Sequence, residues 1–262
     1  MKIYKTSMEE KVKGNTKPVS YHEHRLMYEH FEDQGLEGAD FSHAWIHGCN
    51  FGGANLYGAN FELSYIEDTT FDRANFKRAN FNNANIESAC FFDADLREII
   101  LDGARLLFAD LTEHNLRGAS FRGARLDGTK FKRTDCHSAV FDRASLQGAI
   151  FKNAILEAAS FKFAELKNVI FEKVHLKRTD FEWATAQCAT FEFANLQTVN
   201  FKNANLEHAN FVNAKLHDIC FNHSNAQWAD FSNAFLRDIS FIDALSLAAN
   251  FQDADLDDIR FV

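Results

Sequence analysis

Residues 51–61 read FGGANLYGANF, and the bulky residues of that stretch, Phe51, Leu56 and Phe61, stand five apart. Two places before each of the last two sits an alanine with an asparagine between, as Ala54-Asn55-Leu56 and Ala59-Asn60-Phe61. The pattern runs outward in both directions, from Phe31 to Phe261, without an insertion or deletion. Of the 24 positions ending in 1, 22 are Phe and the exceptions are Leu101 and Leu111; of the 23 ending in 6, 15 are Leu. A period of five fits neither the 3.6 of an α-helix nor the 2 of a strand. A coiled coil is excluded because the register never drifts. A solenoid remains. Each five-residue unit turns a corner, sends its small and bulky residues inward and the other three outward, and buries its apolar face only by stacking on neighbours.

The tandem A-(D/N)-(L/F)-x-x units over residues 31–262 resemble the pentapeptide-repeat proteins. That resemblance implies an all-β fold, a right-handed quadrilateral parallel β-helix with four pentapeptides per coil and about 12 coils. At ~4.8 Å between stacked strands the rod would be roughly 55 Å long.

Four-sidedness has an independent sign. Positions 20 apart should stack, and Asp102, Arg122, Asp142, Lys162, Glu182 and Lys202 then form one outward column of alternating charge. One inward column loses volume toward its end, at Ala186, Ala226 and Ser246, while the small-residue column beside it grows at Val199, Ile219, Ile239 and Ile259. Such compensation keeps a close-packed interior full. The segment 96–116 breaks the pattern: five successive central residues are Leu, and Ile99 and His114 replace the small inward residue. That interruption admits a kink in the rod or a core that accommodates it locally. His114 reads as a buried neutral histidine with a hydrogen-bond partner.

Residues 1–19 read as a flexible tail. Residues 20–30 resemble a helix start, with a capping box at Ser20–Glu23 and a stripe of Tyr21, Leu26 and Met27, so a short N-terminal cap helix is expected. The repeat region proper is 31–262. At the other end the repeat reaches Phe261 and the last residue is Val262. An uncovered coil is an unpaired strand edge, so a homodimer through Phe251, Leu256, Phe261 and Val262 is expected.

Catalytic signatures are missing: no glycine-rich phosphate loop, no GxSxG, no HExxH. No enzyme, cofactor or metal is expected; His22, His24 and His30 lack the further ligands of a metal centre. Five cysteines without CxxC pairing, no apolar core near the N-terminus and no long apolar run fit a soluble protein of a reducing cytoplasm. Charge divides the chain: residues 31–120 sum to −9, 121–180 to +5 and 181–262 to −7. The basic stretch is spread over several faces, which makes nucleic acid an unlikely partner. Asp218, Asp238 and Asp258 fall in one column, where like charges about 5 Å apart repel. Outward aromatics suited to anchor a protein partner are Phe163 with Trp183 below Arg143, and Trp228 with Phe235. Two functions follow. One is a rigid protein-interaction scaffold. The other comes from the resemblance: some pentapeptide-repeat proteins mimic DNA and bind DNA gyrase or topoisomerase IV, the acidic column standing in for phosphates. The uninterrupted repeat lacks the loops of the plasmid-borne quinolone-resistance members, and its middle is basic.

Overall fold

The structure, a computed structural model, describes residues 18–261. Those residues form a parallel β-solenoid of about 12 coils with no helix among them, and hence none long and apolar enough to cross a membrane. The regular strands are β1 (Arg25–Met27), β2 (Trp45–His47), β3 (Tyr65–Glu67) and β4 (Asn85–Glu87), joined in one sheet, and β5 (His175–Lys177), β6 (Asn195–Asn200), β7 (Lys215–Cys220), β8 (Phe235–Ser240) and β9 (Asp255–Arg260), joined in another. Every pairing is parallel and links residues 20 apart, as Ile46 with Ile66 and Leu196 with Leu216. Isolated bridges at the same spacing run along the rest of the rod. Four five-residue sides therefore make one coil.

The alanine-asparagine-bulky motif has a local cause at each corner. The Asn or Asp carbonyl oxygen accepts the amide two residues on, as Asn60 Oδ1 does from the Glu62 N–H at 3.2 Å, an Asx turn. Its amide nitrogen then donates to the neighbouring coil, Asn80 Nδ2 to Asn60 Oδ1 and Asn60 Nδ2 to Asp40 Oδ1. The alanine must be small because its Cβ faces the axis, where rings fill the space. Phe121, Phe141, Phe161 and Phe181 stack at 4.8–4.9 Å between centroids, edge-on to a second stack through Phe131, Phe151 and Phe171. Where threonine takes the alanine position its hydroxyl donates to a main-chain carbonyl, as in Thr129 to Leu106 O and Thr179 to Leu156 O, whereas the buried Ser224 Oγ at the same kind of position has no partner.

Two expectations need correction or narrowing. Residues 20–30 are not a helix: Tyr21 stacks on Phe41 at 4.8 Å, Leu26 is buried above Ile46, and Ser20 bridges Asp40. The five-residue register extends upstream with Tyr in place of Phe, and burying Tyr21 and Leu26 on the first Phe and Ile outweighs the capping-box preference of Ser20. The expected tail lies outside the described residues except for Pro18 and Val19. The alternating column forms pairs only in places: Arg122 lies 4.0 Å from Asp102 and Lys162 is 3.6 Å from Glu182, while Lys162 sits closer, at 2.8 Å, to Asp180. Asp142 instead accepts from Ser160 and from the Lys162 amide.

Candidate functional site

The third residue of each turn has φ between about +50° and +69°, a region that asparagine, aspartate and glycine tolerate best. A bulky side chain there costs roughly 1–2 kcal/mol, and its position throws it outward at a corner. Phe163 (φ 59°), Trp183 (φ 61°) and Trp228 (φ 60°) all occupy such corners, as do Asp218, Asp238 and Asp258. Phe163, Trp183 and Trp228 are 45–54% exposed at these corners.

Phe163 and Trp183 lie parallel, 6.4 Å apart and 2° from coplanar orientation, with the Arg143 guanidinium 4.7 Å above the Phe163 ring. They are 45% and 52% exposed, so three flat groups form an open ladder down the rod. A similar column stands near the first coils, where Arg25 covers Trp45 at 4.9 Å and Trp45 meets Tyr65 edge-on at 5.3 Å. The other expected pair does not form. Trp228 stacks on His208 at 6.1 Å, and Phe235 lies on β8 beside Arg237 on a separate face. Asp218, Asp238 and Asp258 do line one groove, but His217 lies 3.4 Å from Asp238 and Arg260 3.7 Å from Asp258. Their repulsion is partly relieved within the chain. In the last described coil Phe251 is half-buried, Leu256 and Phe261 are exposed, and Val262 lies outside the described residues.

The cations of the middle region are largely paired with acids one coil away: Arg117 with Asp135, Lys130 with Asp110 and Arg133 with Glu113. His22, His24 and His30 are not gathered; their Nδ1 atoms bond Ser42 Oγ, His22 O and Glu32 in turn. Among the described residues one trio, His47, Glu67 and Asp68, brings metal-ligand atoms within 4.8 Å of one another. The His47 ring is held at both nitrogens, by Glu67 at 3.1 Å and by the Tyr28 hydroxyl at 3.2 Å.

The interruption at 96–116 produces the largest departure from regularity. Among the described residues the ladder bonds from Ser88 N to Leu107 O, Phe91 N to Asp110 O, Asp93 N to Thr112 O and Leu96 N to Asn115 O are not made, nor the returning bonds from Asp110 N to Ala89 O and Asn115 N to Ala94 O. The flanking bonds Ile86 N to Arg105 O and Glu98 N to Arg117 O are intact. The coils part along two of their four sides and stay joined on the others. Leu101 and Leu111 explain part of this, since they interrupt both Phe stacks between Phe81 and Phe121 and between Phe91 and Phe131. A small apolar void remains beneath, lined by Phe81, Phe91 and the leucines. His114, too large for an alanine site, turns its ring into the gap, Nε2 to the Phe91 carbonyl at 2.7 Å and Nδ1 to the Thr112 carbonyl at 3.1 Å. Sequence reading marked the segment and the inward histidine but not the opening, nor the exposed Phe92 and Phe108 on its two rims.

Comparison with known proteins identifies the repeat. A family model described as pentapeptide repeats matches in eight copies between residues 36 and 238. Among solved structures, HetL, a pentapeptide repeat protein involved in heterocyst differentiation regulation in the cyanobacterium Nostoc sp. strain PCC 7120, is 21% identical over 92% of this chain and 89% of its own, with a TM-score of 0.24. A pentapeptide repeat protein of the Arabidopsis thaliana thylakoid lumen is 29% identical over 37% of this chain and 64% of its own, TM-score 0.30. Trypsin-treated QnrB1, a plasmid-mediated fluoroquinolone resistance protein, is 16% identical over 89% of this chain and 92% of its own, TM-score 0.25. No curated protein matches the sequence.

Proposed function

The chain belongs to the pentapeptide-repeat family, and from that premise we propose that it is a non-enzymatic, right-handed rod that serves as a rigid protein-interaction scaffold in the cytoplasm. The observation that carries this reading is the open ladder of Arg143, Phe163 and Trp183. Its rings sit on coils bonded to the coils on either side, as Arg143 N to Lys162 O, Phe163 N to Glu182 O and Trp183 N to Lys202 O, so a partner meets anchors that lose little freedom on binding. Aromatic and arginine side chains held in this way are the usual energetic centre of a protein interface. The test is site-specific photocrosslinking in cells, with a benzophenone amino acid replacing Phe163 or Trp183. A discrete protein adduct from either position, absent when the probe replaces Asn203 one coil further on, supports the scaffold. No adduct from either position refutes it.

The second reading is a DNA mimic that binds DNA gyrase or topoisomerase IV, favoured by the single column of Asp218, Asp238 and Asp258. Gyrase supercoiling, with and without fluoroquinolone, measured against rising protein concentration tests it. Inhibition or protection that disappears when the three aspartates become Asn supports mimicry; an unchanged reaction removes it. Self-association through Phe251, Leu256 and Phe261 forms part of the proposal, supported by the exposure of Leu245, Leu247, Leu256 and Phe261 on one terminal coil. Sedimentation at tens of micromolar that shows only a single-chain mass would remove that part.

A further inference from the structure

The gap between residues 88–96 and 107–115 leaves two facing lips of unpaired main chain. The upper carries the N–H groups of Ser88, Phe91, Asp93 and Leu96 and the carbonyls of Ala89 and Ala94, the lower the carbonyls of Leu107, Asp110 and Asn115 and the N–H groups of Asp110 and Asn115. Parallel-strand edges in this state are templates for another strand. The opening is a cleft of about 490 Å³, within the size range of ligand sites. Its floor is apolar, from Ile86, Phe91, Leu107 and Ala109, and its rim is polar, from Glu87 and Asp110. Ala89 and Ala109, whose counterparts elsewhere are buried, are partly exposed here. Phe92 and Phe108 stand 70% and 74% exposed beside it. Phe108 lies flat against Gly128 on the coil below, where any Cβ would collide with the ring, so the ring is held off the gap rather than closing it.

We infer that this cleft is the docking slot for an extended segment of a partner polypeptide, one bulky apolar side chain seated over Phe91 and Ala109 and Lys or Arg on either side of it. This rests on the scaffold reading and names a second place on the rod where it operates. The unpaired groups decide the class of occupant. Donors and acceptors occur together along each lip, which a peptide backbone complements and a phosphate or carboxylate does not. An anion is further disfavoured because Arg105, the cation of the rim, is already bonded to Glu87 at 2.6 Å; Asp110 is paired with Lys130, while Asp93, further along the upper lip, is in no ion pair among the described residues. The surrounding segment 31–120 sums to −9, and that field selects basic flanks. The His114 ring fills part of the gap and ties its two sides at one point, Nε2 lying 2.7 Å from Phe91 O, so the spacing of the lips is set before the peptide arrives. The binding mode is strand addition, in which the main chain supplies affinity and one pocket supplies selectivity.

The experiment is selection of a phage-displayed random dodecapeptide library on the full chain, followed by fluorescence polarisation with the selected synthetic peptides. Enriched peptides should place Lys or Arg around a bulky apolar residue, and their binding should slow amide exchange at Ser88, Phe91 and Asp93. Affinity should fall about tenfold, the equivalent of roughly 1.4 kcal/mol, in the variant Leu101→Phe/Leu111→Phe/His114→Ala, which rebuilds the regular stack and closes the gap. Phe108→Ala removes an exposed apolar ring from the lining without adding charge, and it should weaken binding measurably whether or not the triple variant folds. Peptides that bind wild type and Phe108→Ala equally, that protect amides near Phe163 and Trp183 instead, or a selection that yields no binder, overturn the slot. The photocrosslinking result at Phe163 and Trp183 is independent of all three outcomes.

Discussion

The parted coils should split the unfolding of the rod in two. Six ladder bonds are missing between residues 88–96 and 107–115. At about 0.5–1.5 kcal/mol apiece this interface is weaker than its neighbours by roughly 3–9 kcal/mol. The contact of His114 with Phe91 O returns about one such bond. In a solenoid, stability is close to a sum of unit and nearest-neighbour terms, so the weak interface divides the rod into a shorter block, residues 18–96, and a longer one beyond 107. Tryptophans lie on both sides: Trp45 reports the first block, Trp183 and Trp228 the second. Equilibrium urea unfolding is followed in one variant with Trp183→Phe and Trp228→Phe, and in another with Trp45→Phe. With slopes near 1–3 kcal/mol/M, the Trp45 transition should come earlier by about 1 M or more and have the smaller slope. Leu101→Phe with Leu111→Phe and His114→Ala should bring the two transitions together. Coincident midpoints and slopes in the unsealed chain would show that the two joined sides suffice to couple the blocks, and the reasoning from missing bonds would be refuted.

Other consequences concern single side chains. Phe161 is fully buried between Phe141 and Phe181, so Phe161→Ala should destabilise its block by about 3–5 kcal/mol in the same urea experiment. Burial pushes the Cys136 thiol up to about 12, whereas Cys188 is exposed. Iodoacetamide at pH 8 followed by peptide mass spectrometry should mark Cys188 and spare Cys136 until the protein unfolds. Arg97 beside Asp95, Arg78 beside Glu98, Arg178 beside Glu157 and Lys152 beside Glu172 hold those carboxyls below their ordinary range. Because these are depressed in the folded state, the stability they add is complete above the unfolded pKa of about 4 and is lost as pH falls through the folded values. Thermal melts should hold steady above about pH 5 and drop below about pH 4. Salt should shrink that drop, since the pairs are largely solvent-exposed.

The solenoid was legible because its information is periodic, one bulky and one small residue in every five; its four sides were what the family resemblance implied, and the charges alternating at a spacing of 20 agreed with them. The first coil was not, because Tyr21 and Leu26 satisfy a helical stripe and the repeat register equally well, and only the stacking of Tyr21 on Phe41 decides between them. Surface pairing was legible where two residues share a column, as Phe163 and Trp183 do. It failed where a pair had to form across columns, since Trp228 found His208 above it rather than Phe235 on another face. The opening shows the same division more sharply. Leu101, Leu111 and His114 each depart from the repeat by one residue, and each could have been absorbed singly by small shifts of the core. They fall within one coil's length, on adjoining sides, so both aromatic stacks end together just where a ring is forced outward. The sum of three modest misfits separates main chain from main chain, which no column of the sequence displays. The five-residue register itself never breaks; what changes over that stretch is the size of three inward residues, and among the described residues it is there, beside two exposed phenylalanines, that the main chain inside the rod loses its ladder partners.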